Sequence, residues 1–115
     1  MKFAAPLKMN KKESAITKVL GKAKYFGIYD TTTNELEVIP NEYAGGPAIF
    51  GKLKELGVDV VLTQHAGPGA VRAAMELGIG LFYCGDERKL LLEAVKEFQD
   101  GKCIEITPSN FHQFH

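Results

Sequence analysis

The stretch Val58-Asp-Val-Val-Leu-Thr-Gln-His65-Ala-Gly-Pro-Gly-Ala70 constrains the fold more than any other part of the chain. Val58, Val60, Val61 and Leu62 make a nearly continuous, β-branched apolar run, as a parallel strand covered on both faces requires. Thr63 to Pro68 turn the chain, and Pro68 fits the first position of a helix, where no N–H is needed. The pattern has an echo. Glu55-Leu-Gly57-Val-Asp-Val-Val-Leu62 is matched in form by Glu76-Leu-Gly78-Ile-Gly-Leu-Phe-Tyr83. Each reads as a helix end, a one-glycine turn and a buried strand, which is the shared grammar of α/β units. Consecutive units of this kind imply a parallel sheet with right-handed crossovers. In such sheets ligands sit outside the carboxyl ends of the strands, so Gln64, His65 and Gly67 mark where one would be held.

The remaining segments extend this plan. Lys2–Leu7 reads as a first strand, with Pro6 limiting its hydrogen bonding. Residues 8–13 are polar and without periodicity, so a loop is expected there. Ser14–Leu20 has a capping serine and Ile16, Val19 and Leu20 on one face, which predicts a short helix ended by Gly21. Lys24–Asp30 and the alternating Glu35–Ile39 predict an antiparallel hairpin near a sheet edge, turning at Thr31–Asn34. A loop containing Gly45 and Gly46 leads to Pro47. There a helix begins, with Ile49, Leu53 and Leu56 on its buried stripe. Val71, Ala74 and Met75 form the apolar face of the helix after Pro68. Ile79–Cys84 is the next strand. Asp86 is the expected cap of a last helix, with Leu91, Ala94, Val95 and Phe98 facing inward. Cys103–Ile106 is either an edge strand or an extended tail, and the residues after Pro108 resemble neither helix nor strand.

Composition excludes several classes. With 115 residues the chain is one domain with a real core. No apolar run approaches the roughly 20 residues of a membrane span, and the amino terminus is too short in apolar residues for a signal peptide. A cytoplasmic protein without membrane contact is expected. Two cysteines without a CxxC spacing argue against a structural zinc site or a disulfide scaffold. The net charge is zero, yet residues 1–24 carry seven lysines against the single acid Glu13. Such a segment attracts an anion or is simply solvated surface. It lacks interleaved aromatics, so nucleic acid is not the expected partner.

Known reaction chemistries are missing as well. No Gly-x-Gly-x-x-Gly follows the first strand, no Walker lysine motif appears, and no serine sits in a nucleophile elbow. Asp30, Asp59 and Asp86 are too dispersed for a two-metal nuclease. His65 and Cys84 remain, each at the carboxyl end of one of two adjacent parallel strands. Imidazole and thiolate both bind transition metals and metal–sulfur species. Two ligands do not close a conventional site, but they can hold a preformed cluster whose other bonds are internal. Backbone N–H groups of Gly67-Pro68-Gly69 and of Gly85-Asp86 would favour an anion there. The alternative for His65 is a solvent-facing loop residue, and for Cys84 simple core packing. His112 and His115, on a chain end, lack the fixed geometry that a metal needs.

Four blocks, taken together, look familiar: Gly21-Lys-Ala-Lys-Tyr-Phe26 leading into Ile28-Tyr-Asp30, the Gly45-Gly46 loop before a helix, Leu56-Gly-Val-Asp-Val-Val-Leu-Thr63 followed by Gly67-Pro68, and the Gly78-Ile79 turn. In order and spacing, residues 1–102 resemble the dinitrogenase iron–molybdenum cofactor biosynthesis family, which includes NifX, NafY and the carboxyl-terminal domain of NifB. Residues 103–115, an edge strand or flexible tail, lie outside the match. The resemblance implies an α/β, ribonuclease-H-like fold: a mixed five-stranded sheet, an antiparallel hairpin plus parallel βα units, flanked by helices. It also implies a non-enzymatic carrier of an anionic metal–sulfur cluster of iron–molybdenum or iron–sulfur type, working between cluster donor and acceptor proteins. Gly21, Lys22, Lys24, Gly45, Gly46, Gln64, Gly67, Pro68, Gly69 and Gly85 would line the site, and His65 and Cys84 would be the ligands. Two departures stand out. The family often has His-Phe where Val19-Leu20 precede Gly21, and glycines where Gln64 and His65 stand. The competing expectation is therefore a metal-free scaffold or regulatory domain that binds a protein partner.

Overall fold

The computed structural model describes residues 1–42 and 46–114. A six-stranded sheet forms its centre, from β1 (Lys2–Leu7), β2 (Tyr25–Asp30), β3 (Glu35–Pro40), β4 (Val60–Thr63), β5 (Gly80–Tyr83) and β6 (Ile104–Glu105), in the order β3-β2-β1-β4-β5-β6. β1, β4 and β5 are parallel neighbours; β2, β3 and β6 run antiparallel to theirs. Helices α1 (Gly46–Glu55) and α2 (Pro68–Leu77) cover one face, and α3 (Leu91–Gln99) covers the other.

Side-chain alternation sorts the core onto the two faces. Val61 and Leu81 pack with Ile49, Phe50 and Leu53 of α1 and Val71 and Ala74 of α2. Val60, Leu62 and Phe3 pack with Leu91, Ala94 and Val95 of α3. All four β4 side chains are buried, which is why that strand reads as an unbroken apolar run. Gly57 and Gly78 end α1 and α2 at φ +82° and +70°, conformations in which a Cβ is strained. Among the described residues no helix is long and apolar enough to cross a membrane.

The structure corrects three expectations. The sheet has six strands, not five: Phe82 pairs with Glu105 and Tyr83 with Ile104, making β6 an edge strand. Ser14–Leu20 is not a helix. Its backbone groups find distant partners instead, the Ile16 N–H donating to Lys89 O at 2.8 Å and the Thr17 N–H to Pro6 O at 2.9 Å. Ser14 Oγ accepts the Met9 N–H rather than capping a helix. With those bonds satisfied in an extended chain, helical propensity has nothing left to win; only Leu20–Lys22 coil, as one 3-10 turn. Pro6 is tolerated in a central strand for a related reason. Its carbonyl serves Thr17, and its missing N–H lies on the edge turned away from β2. Finally, Asp86 does not cap the last helix. α3 begins at Leu91, and the Leu90 N–H is held by the Glu93 carboxylate at 2.8 Å.

The chain end is also ordered onto the body. Residues Phe111–Gln113 form a 3-10 turn, Phe114 is buried, and its ring stacks on Tyr83 with centroids 4.5 Å apart.

Candidate functional site

At the carboxyl end of β4 the chain leaves the sheet through Gln64, His65 and Ala66. This turn is fixed from three sides. Thr63 Oγ1 donates to His65 O at 3.2 Å, the Ala66 N–H donates to Phe114 O at 3.0 Å, and Val19 forms a parallel bridge with His65. Beyond it Gly67 takes an extended conformation and starts α2, with no side chain capping the helix. The first-turn N–H groups of a helix have no intrahelical acceptor, so this terminus keeps donors and the positive end of its dipole for a ligand.

A cleft of about 520 Å³ opens here, on the α1/α2 face. Gly67, Gly69 and Ala70 of the α2 start form one wall, Pro47 of the α1 start another, and Lys18, Val19, Leu20 and Gly21 the third, with His65 and Ala66 at the base. The two helix starts nearly touch: a Cβ on Gly69 would stand 2.7 Å from Pro47 Cγ. Two positive helix ends therefore converge on one cleft, with Lys18 among the residues that line it. His65 is about one-third exposed, and its Nε2 lies 3.7 Å from Asp86 Oδ1.

The structure gathers some expected site residues and separates others. Gly21, His65, Gly67 and Gly69 share the cleft. Lys22 and Lys24 line an adjoining depression with Lys8 and Thr17, so they add positive charge beside the cleft. Pro68 begins α2 and faces a separate groove with Arg72, Met75 and Phe111. Gln64 is 1% exposed, and its side-chain amide donates to Glu87 O, which makes it an internal tether. Gly85 has φ +90° in the loop after β5, where a Cβ would meet Lys89 Nζ at 3.3 Å. Gly46 opens α1, and Gly45 lies outside the described residues.

Cys84 is on the other face of the sheet. Its thiol donates to Thr63 O at 3.2 Å, among the Leu62 and Leu91 side chains. Burial pushes this thiol up to about 12, so near neutral pH it stays almost wholly protonated and is poorly suited to serve as a thiolate ligand. The structure therefore does not bring His65 and Cys84 together as a ligand pair. Beside Cys84, Lys89 Nζ donates to Cys84 O and pairs with Glu97 at 2.7 Å. Burial alone would lower the Lys89 pKa, but the hydrogen bond and charge of Glu97 outweigh it and hold the ammonium above its ordinary value.

Sequence reasoning missed Ala66, Ala70 and Pro47 as lining residues, because small and apolar positions carry no chemical signature, and it counted Lys18 only within a basic segment whose seven lysines nothing local tells apart. Val19 and Leu20 also line the cleft; the sequence singles them out as the face of an expected helix and as a departure from a family pattern, not as site residues. Among the described residues no three His, Cys, Asp or Glu side chains cluster as a metal-ion site would require.

Comparisons with known proteins place the chain in a family and find its fold in solved structures. A family profile described as dinitrogenase iron–molybdenum cofactor matches residues 1–101. No curated protein matches the chain. Among solved structures, a Thermotoga protein provisionally named NifB and assigned to the DUF35 family superposes with a TM-score of 0.77 at 25% identity, over 92% of this chain and 93% of its own. The apo form of the orange protein from Desulfovibrio gigas gives 0.77 at 23% identity over 91% and 92% of the two chains. A Methanocaldococcus jannaschii protein provisionally named a dinitrogenase gives 0.67 at 17%, over 92% and 94%. The last two likenesses are of fold alone. With the profile spanning nearly the whole length, the chain belongs to the dinitrogenase iron–molybdenum cofactor family, a membership that ties it to the biosynthesis or binding of that cofactor.

Proposed function

We propose that this protein is a non-enzymatic carrier whose cargo is an anionic metal–sulfur cluster, the iron–molybdenum cofactor or a precursor of it. The observation that carries this reading is the meeting of His65 with the uncapped, glycine-lined start of α2 in one cleft. The donor set suits that cargo. No carboxylate or thiolate lines the cleft among the described residues, and the Asp86 carboxylate beside His65 is a single charge, so a bare divalent cation would not be balanced. An anionic cluster with internally satisfied metals needs less: N–H donors, a nearby ammonium and one imidazole.

The register at Val19 supports His65 as that imidazole. Val19 stands where the resemblance places a family histidine, and Val19 is the bridge partner of His65. An imidazole at 65 would thus reach the same rim of the cleft from the opposite side of the bridge. Leu20, 1% exposed, fills the core position that the resemblance gives to phenylalanine. A carrier of this kind works between a cluster donor and a cluster acceptor protein.

The test is anaerobic purification followed by an offer of thiomolybdate or an iron–sulfur donor, with iron, molybdenum and sulfide measured on the desalted protein. Stoichiometric uptake is expected. No uptake from any donor would overturn the carrier reading.

A further inference from the structure

We propose that Cys84 and Cys103 are a cross-strand pair able to close a reversible disulfide that staples β6 to β5. The argument starts from register. β5 and β6 pair Phe82 with Glu105 and Tyr83 with Ile104, so the next position of the same antiparallel register sets Cys84 opposite Cys103.

The hydrogen bonds identify the kind of position. The Ile106 N–H donates to Leu81 O, so residues 81 and 83 turn their backbone groups toward β6. The Cys84 N–H donates to Thr63 O, toward β4. The paired residues end at Tyr83 and Ile104; continued by one residue, the same register would make 84 and 103 a non-hydrogen-bonded pair. In such pairs the Cα atoms are about 4.5 Å apart and the side chains are at their closest, inside the roughly 4.4–6.8 Å Cα separation that a disulfide accepts. Alternation puts both side chains on one face, and both pack against the cluster that α3 covers. The two cysteines also influence each other electrostatically. Both are free thiols in the reduced form described here.

Oxidation would leave no buried group stranded. Thr63 O loses the Cys84 thiol but keeps the Cys84 N–H at 2.9 Å.

The oxidant class is a small-molecule disulfide such as oxidised glutathione. Cys103 is the more exposed of the two and reacts first. It gives up its proton, its thiolate attacks one glutathione sulfur, and one glutathione thiolate leaves. Cys84, which burial keeps largely protonated near neutral pH, gives its proton to base and attacks the Cys103 sulfur of the mixed disulfide, expelling the second glutathione thiolate; this second step is therefore the slow one and quickens as pH rises. Two electrons pass from the two cysteines to the glutathione disulfide, and the two protons end on the two glutathione thiols.

The bond would enclose α3 in a loop of about twenty residues, which in the chain-entropy model raises the melting temperature on the order of 10 °C. It would also tie down the strand from which the chain end runs to the cleft.

The test incubates the folded full chain with oxidised glutathione, blocks free thiols with iodoacetamide and weighs the intact protein. The expected product is monomeric, lighter by two hydrogens and unalkylated. Its digest contains a peptide pair linking Cys84 to Cys103, and dithiothreitol restores both thiols and the lower melting temperature. Cys84→Ser should instead stop at a glutathione adduct on Cys103. Two alkylated thiols in the wild type, a stable glutathione adduct that never resolves, or a disulfide-linked dimer would each overturn the proposal.

Discussion

Gly69 and Pro47 are packed so closely that the start of α2 has no room for a side chain: a Cβ on Gly69 would lie 2.7 Å from Pro47 Cγ. The proline ring cannot swing aside as a flexible chain end would, so the two helix starts must separate to admit a methyl group. Gly69→Ala is therefore expected to destabilise the fold by about 1–2 kcal/mol, as overpacking does, and to weaken cluster uptake. Gly51→Ala on α1 is the control. Nothing lies within 4 Å of its added Cβ, so it should stabilise by roughly 0.5–1 kcal/mol through helix propensity. Paired thermal melts check both.

The buried Cys84 thiol makes a pH prediction. Its folded value, about 12, lies above the ordinary 9.0. Below pH 9 the thiol is protonated in both states and costs nothing. Between pH 9 and 12 the unfolded chain releases a proton that the folded chain keeps, so stability falls as pH rises, by about 1.4 kcal/mol per pH unit from this group. Chemical denaturation from pH 8 to 11 should show that decline, and Cys84→Ala should make it shallower.

Lys89 acts in the same direction. Its folded value is held above 10.5, so its stabilising contribution is complete below that pH and is lost as pH rises through the raised value. At neutral pH, Lys89→Met removes the bonds to Cys84 O and Glu97 and leaves Glu97 without its partner. A loss of about 2 kcal/mol is expected, less than for a fully buried pair because Glu97 is about one-third exposed. Urea denaturation at pH 7 measures it.

Phe114 tests whether the chain end supports the cleft. Its carbonyl accepts the Ala66 N–H and its ring stacks on Tyr83. Burial, then the Asp86 carboxylate, push the Tyr83 phenol up to about 12. Phe114→Ala is expected to cost about 2 kcal/mol and to bring one tyrosine's titration back toward 10, which ultraviolet difference spectra would detect.

Much of the fold was legible where local pattern and tertiary role coincide. Pro68 starts a helix, Gly57 and Gly78 end two, and the β4 run is buried on both faces because nothing but a central parallel strand suits it. Reading failed where tertiary bonds decide. Ser14–Leu20 carries helical signals, but its N–H groups go to Pro6, Lys89 and His65. Asp86 looks like a cap, yet the bonds that hold the 84–90 loop displace the helix start to Leu91. The site was half legible. The glycines announced a helix start aimed at a ligand, and His65 stood beside them. That Cys84 faces the other side of the sheet depends on strand alternation beyond Tyr83, and the facing of Val19 and His65 depends on a single bridge between segments far apart in sequence.

The central claim is that an imidazole at the rim of this cleft holds the cluster, and the Val19–His65 bridge lets that imidazole be moved. The most direct measurement is anaerobic cluster loading of three folded proteins: wild type, His65→Ala, and His65→Ala with Val19→His. The account predicts that His65→Ala loses at least about tenfold in affinity, the least that loss of even an outer-shell partner costs many metal sites, and that the added histidine at 19 restores most of it. Loading of His65→Ala equal to wild type would contradict the account, as would a double variant no better than the single one.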